Sequence, residues 1–203
     1  MLLRTFEKIS ELFEASYGYL TTGELKSEKI TTVQINELVK SGHVERITHG
    51  VYWWVDKKNG KPENYKMIEI AKANKNVIVC MESALYFYGI TEDEPAALSV
   101  ATSRTDRSAM KMNFNVFRHY FSENLFNKYF RTISTKYGDF KIYSPDRSLC
   151  DYIRINRGNQ NNGIEKIISA YSSYDAKNLS ELMKYAEEAN LSKSEKYMLS
   201  EIK

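Results

Sequence analysis

Asn36 and Lys40 fall on what helical spacing predicts to be one exposed face, with Gln34 on its flank, and Arg46 and His49 follow on a predicted hairpin. That combination of side chains can hold and read duplex DNA. Asn and Gln each present an acceptor beside a donor, which matches the N6/N7 edge of adenine, while Lys and Arg suit guanine or a phosphate. Thr32 at the helix start and Lys29 just before it extend the candidate contact set. A second chemistry has to be weighed: Glu82, Asp139, Lys141 and Asp146 could form a carboxylate-plus-lysine nuclease site around a divalent cation. Their spacing is loose, and Glu82 and Asp146 fall in the first turns of predicted helices, where the helix dipole favours a carboxylate. No phosphate-binding glycine loop, nucleophile elbow, H-E-x-x-H or Cys–His nucleophile pattern is present. His43, His49 and His119 have no metal-gathering spacing. The expectation is a binder with no catalytic residues, metal or cofactor.

The elements that would position these residues are legible between residues 18 and 55. Thr21 or Thr22 can cap a short helix through Glu24 and Leu25, and Thr31 or Thr32 can cap a second one. In the second, Ile35, Leu38 and Val39 form the apolar stripe, which turns Val33, Asn36, Glu37 and Lys40 outward and leaves Thr32 and Gln34 on the flanks. Gly42 ends it. Val44–Thr48 and Val51–Val55 read as strands joined by His49-Gly50, the wing of a winged helix-turn-helix. An α-helix fits the major groove, so Gln34 and Asn36 become the leading base readers.

Charge tempers this reading. Residues 1–56 hold six Lys/Arg against eight Asp/Glu, and the remainder of the chain holds 23 against 18. Phosphate neutralisation supplies most non-specific affinity, so this module would need its cations clustered on one face, dimerisation or help from the rest of the chain.

At 203 residues, with 42% hydrophobic and 13% aromatic content, the chain can fill two small cores. The polar stretch 56–64 reads as a linker or connecting loop, dividing the chain into 1–60 and 61–203. After it come a helix at 65–74, a short strand at 76–81, a helix closed by Gly89, strands near 97–101, 114–121 and 140–143, and a helix opened by Ser144-Pro145-Asp146. Amphipathic helices follow from Ile164 and Leu179, with a final segment at 192–203. The fold class is α+β: a winged helix-turn-helix, then a mixed α/β domain with a helical C-terminal part. Arg104, Arg107, Lys111 and Arg118 between residues 102 and 119 meet one acid, Asp106, and could follow a nucleic-acid backbone, dock an acidic partner or simply be solvated. Cys80 and Cys150 suggest no disulfide framework, apolar runs are far too short to cross a bilayer, and the expected compartment is the cytoplasm.

Three segments taken in order, GYLTTGELK…LVKSGHVERITHGVYWW, MESALYFYGI and YSPDRSLCDYIR, resemble the AbiEi family, antitoxins of type IV toxin–antitoxin systems from abortive phage infection. The resemblance implies an N-terminal winged helix that binds inverted repeats in its own promoter. It also implies a C-terminal domain that supports cooperative binding and counteracts an AbiEii-like nucleotidyltransferase toxin without a stable complex. On this chain the recognition helix would be Thr32–Ser41 and the wing Arg46–Tyr52. Relatives often carry arginine where this sequence has His49, which would leave Arg46, Lys40 and Lys29 to meet the phosphates. A winged-helix protein-interaction adaptor remains the alternative.

Overall fold

The structure is a computed structural model that describes residues 1–56, 58–157 and 163–202. It gathers into two compact units, Met1–Lys75 with Ser108–Phe114 and Ser134–Phe140, and Asn76–Arg107 with Asn115–Ile133 and Lys141–Lys203.

The first unit runs α1 (Leu3–Ala15), β1 (Tyr19–Thr21), α2 (Thr22–Ser27), α3 (Thr32–Lys40), β2 (Val44–Thr48), β3 (Val51–Trp54) and α4 (Tyr65–Ala73). The three strands form an antiparallel sheet in the order β1-β3-β2. This is the winged-helix order. The first helix and the first strand are additions to the sequence reading. Phe6, Ile9 and Phe13 recur at helical spacing in α1, and Ile9 and Phe13 bury against Leu20, Leu25, Ile35, Leu38, Val44 and Tyr52. That single cluster ties the three helices to one face of the sheet.

The opposite face of the sheet is covered by the stretch expected to start a second domain. Tyr19, Trp53 and Glu45 lie in one register row across the three strands. Tyr19 donates its hydroxyl to Glu69 of α4 at 3.0 Å, and Lys61 bridges Glu69 at 2.9 Å and Glu45 at 3.0 Å. The first compact unit therefore extends past residue 60. Within the expected linker or connecting loop, the Asp56 carboxylate accepts from the backbone N–H groups of Lys58 and Asn59. Lys57, within that stretch, lies outside the described residues.

Glu69 is fully buried, and burial pushes its carboxyl above the ordinary carboxylate range while Lys61 and Tyr19 pull the other way. The folded state therefore holds this proton more tightly than the unfolded chain does. The contribution of Glu69 to stability is greatest below the ordinary carboxylate value and falls as pH rises from there through the raised one. Lys61→Met removes the opposing cation and should make the fall steeper and extend it to higher pH, whereas Glu69→Gln should flatten it. Trp53 and Trp54 are the chain's two tryptophans and both lie in this unit. Urea midpoints from tryptophan emission between about pH 4.5 and 7 check the prediction. A pH-independent midpoint in the unsubstituted chain would refute it.

The second unit is built on a five-stranded sheet, in the order β6 (Val116–Phe121), β5 (Leu98–Ser103), β4 (Ile78–Val79), β8 (Phe140–Tyr143) and β7 (Phe130–Ile133). The β4–β8 and β5–β6 pairs are parallel and β4–β5 is antiparallel. Around it are α5 (Met81–Phe87), the short α6 (Glu123–Phe126), α7 (Pro145–Ile155), α8 (Ile164–Ser172), α9 (Leu179–Glu188) and α10 (Lys193–Ser200). The mixed sheet and helical C-terminal part match the expected α+β class. Of the expected final segment, Lys203 lies outside the described residues. Leu149, Ile153, Tyr171, Leu182, Tyr185 and Leu199 join one core with Ile78, Leu85 and Ala101.

Charge is buried on α7 as well. Arg147 and Asp151 have no exposed surface and bond at 3.1 Å. Asp146 accepts from the Tyr171 hydroxyl and from the Asn178 backbone N–H at 2.6 Å. The polar letters of YSPDRSLCDYIR thus fasten α7 to its neighbours.

Candidate nucleic-acid interface

Two capping boxes set the helix-turn-helix. Thr21 caps α2 and accepts from Glu24 N–H while the Glu24 carboxylate accepts from Thr21 N–H, and Thr31 and Gln34 do the same for α3. The second box changes the standing of Gln34. Its Oε1 accepts from Thr31 N at 2.8 Å and from the Thr31 hydroxyl at 2.9 Å, so the amide is folded back on the helix end rather than presented outward.

The rest of the predicted face is placed as helical geometry required. Thr32, Val33, Asn36, Glu37 and Lys40 are exposed, and Ile35 and Leu38 are buried. Arg46 and His49 are exposed on the wing, and Lys29 is exposed in the turn between α2 and α3. Arg46 donates through Nη2 to Asn36 Oδ1 at 2.8 Å, joining wing and helix. Its guanidinium also lies 5.6 Å from the centre of the Tyr52 ring, its cross-strand partner.

Two neighbours of this face were not among the candidate contact residues. Val33 is 76% exposed in the first turn of α3, an apolar group of the kind that meets a thymine methyl. Its signal was an apolar residue opposite the buried stripe. Tyr52 is buried beneath Arg46, and strand alternation alone could not have assigned it that position.

The predicted basic segment is divided between the two units. Arg104, Arg107 and Arg118 belong to the second unit and Lys111 to the first. Arg118 pairs with Asp106 at 3.1 Å, donates to the Thr102 hydroxyl at 2.8 Å and packs on Tyr120, so its charge is already matched. Arg104, Arg107 and Lys111 are exposed. The nuclease candidates have structural partners of their own: Glu82 accepts from the Ser99 hydroxyl and Asp146 is engaged as above. Among the described residues no three His, Cys, Asp or Glu gather as a metal site would require. No described helix is long and apolar enough to cross a membrane.

Residues 7–52 match the family model described as "Transcriptional regulator, AbiEi antitoxin". The span opens within α1 and ends in β3, so it covers the helix-turn-helix and nearly all of the wing. Residues 7–52 are thus similar to the AbiEi regulator module. No curated protein matches the chain. The matched segment supplies an exposed second helix beside a wing, the arrangement by which helix-turn-helix proteins enter the major groove. The matched family is described as one of transcriptional regulators.

Proposed function

We propose that this protein is an antitoxin and transcriptional autorepressor of a type IV toxin–antitoxin operon. The first unit binds inverted repeats upstream of its own gene, and the remainder supports cooperative binding and counteracts a nucleotidyltransferase-like toxin in the cytoplasm without a stable complex. The observation that carries the DNA-binding part is the exposed face of α3, with Thr32, Asn36 and Lys40 flanked by Lys29, Arg46 and His49, inside the segment matched by the AbiEi regulator model. The toxin partner rests on the family likeness alone.

A mobility-shift titration tests this, using the full chain on the duplex upstream of its own gene and on a scrambled duplex, at about 150 mM salt to suppress non-specific phosphate binding. Stepwise shifts on the upstream duplex, at much lower protein concentration than on the scrambled one, are expected. Lys40→Ala should weaken binding to both duplexes alike and reduce the salt slope by about one. No preference in the unsubstituted chain would sink the autorepressor and leave the protein-interaction adaptor. Co-expression with the neighbouring toxin gene, scored as growth rescue, tests the antitoxin role separately.

A further inference from the structure

We propose that Arg46 reads a guanine in the major groove, presented there by Asn36, instead of neutralising a backbone phosphate. The proposal rests on the DNA-binding reading above and assigns a specificity residue within it.

Arg46 lies two residues from buried Val44 on β2, and its head lies at the rim of the helix-facing side, where it meets α3. Arginine has donors only, so the bond at 2.8 Å also fixes the Asn36 amide, with Oδ1 toward Arg46. Asn36 is in the second turn of α3, on its exposed face. A guanidinium bonded there travels with the recognition helix, whose N-terminal part meets base edges in this docking mode.

The remaining chemistry suits a base edge. Among the described residues Arg46 makes no ion pair, so its charge is unspent, and the buried Tyr52 ring supports one side of it. A guanidinium has five N–H donors in a fixed plane, and one bond to Asn36 leaves a two-donor edge free. Guanine presents O6 and N7 side by side to such an edge. With Oδ1 turned toward Arg46, the Asn36 amide is not aimed to pair with adenine N6 and N7. Its role becomes that of a positioning residue. Lys40 has no such fork and remains a point charge.

The experiment uses the full chain on the upstream and scrambled duplexes, with Arg46→Lys, Asn36→Ala and single 7-deazaguanine replacements across the bound site. Arg46→Lys keeps the charge, so binding to the scrambled duplex should fall far less than binding to the upstream one. The preference for the upstream duplex should drop roughly tenfold to a hundredfold. Removing N7 from one guanine should weaken the unsubstituted protein by a similar factor and leave Arg46→Lys unaffected. Asn36→Ala should reduce discrimination at that same guanine and at no adenine. Both side chains are exposed, and an unchanged urea midpoint from tryptophan emission shows that a variant is folded. Full preference retained by Arg46→Lys would overturn the guanine assignment while leaving the repressor standing. Absence of any preference in the unsubstituted chain would overturn both.

Discussion

Arg147→Met is expected to cost the second unit about 3–5 kcal/mol, because it takes from the buried Asp151 carboxylate its fully buried cation and leaves only Arg154 and the Tyr185 hydroxyl to meet it. The Arg147 side chain is fully buried: Nε bonds Asp151 at 3.1 Å, Nη1 donates to the Leu125 carbonyl at 2.7 Å, and the guanidinium packs 3.3 Å from the Tyr143 ring centre. Asp151 also accepts from Arg154 and from the Tyr185 hydroxyl, both at 2.9 Å, yet burial still raises its proton affinity against the pull of the two arginines. Methionine fills similar space but supplies neither the charge nor the donors that the carbonyls at the end of α6 and just beyond it use. Urea unfolding by far-UV ellipticity should show an early transition. Tryptophan emission, which reports the first unit, should hold its midpoint. The companion double substitution Arg147→Met with Asp151→Leu should recover much of the loss, since replacing both members of a buried pair by apolar groups is often neutral. A double variant no more stable than the single would show that the Asp151 carboxylate is not the cause.

The same network marks a limit of what sequence can show. Pro145 after Ser144 announced the start of α7, and the apolar positions Leu149 and Ile153 announced its buried stripe. Asp146, Arg147 and Asp151 gave no sign of being buried, because isolated charges belong in water and only three-dimensional pairing makes their burial tolerable. The winged helix was legible because its signals are local: a Thr with Glu or Gln three residues on, an apolar stripe and a two-residue turn. Either Thr of each pair could have capped, and the structure chooses Thr21 and Thr31. That choice spends the Gln34 side chain. Helical spacing could place Gln34 on the flank but not foresee the bond it makes. The Asn36–Arg46 bond spans ten residues and two elements, beyond any periodicity. The first unit extends past the expected boundary at 60 because Glu69, read along the chain, looks like a solvated position of an amphipathic helix. Tyr19 and Lys61 are what make its burial possible.

Gly18→Ala should cost the first unit about 3 kcal/mol, the sum of left-handed backbone strain and overpacking. Gly18 sits at φ +87° at the turn from α1 into β1, and a Cβ there would lie 2.3 Å from Cζ3 and 2.8 Å from Cη2 of Trp53. The backbone cannot easily yield, because Gly18 N–H donates to the Phe13 carbonyl at 2.7 Å and its own carbonyl accepts from Trp54 N–H at 2.9 Å. Nor can the indole, which is buried and packs on the Tyr19 ring with centroids 4.4 Å apart. Gly42 provides the control: it has φ +74° but nothing within 4 Å of the added methyl, so Gly42→Ala should cost only the backbone strain of about 1–2 kcal/mol. The difference between the two urea midpoints, read from tryptophan emission, isolates the collision with Trp53. Repeating Gly18→Ala on a Trp53→Leu background, followed through Trp54, should close most of that gap, since the ring that the methyl meets is gone. Equal costs for Gly18→Ala and Gly42→Ala in the unsubstituted background would mean that the indole shifts freely. In that case β3, which carries Tyr52 beneath Arg46, is held less firmly than the packing around Trp53 implies.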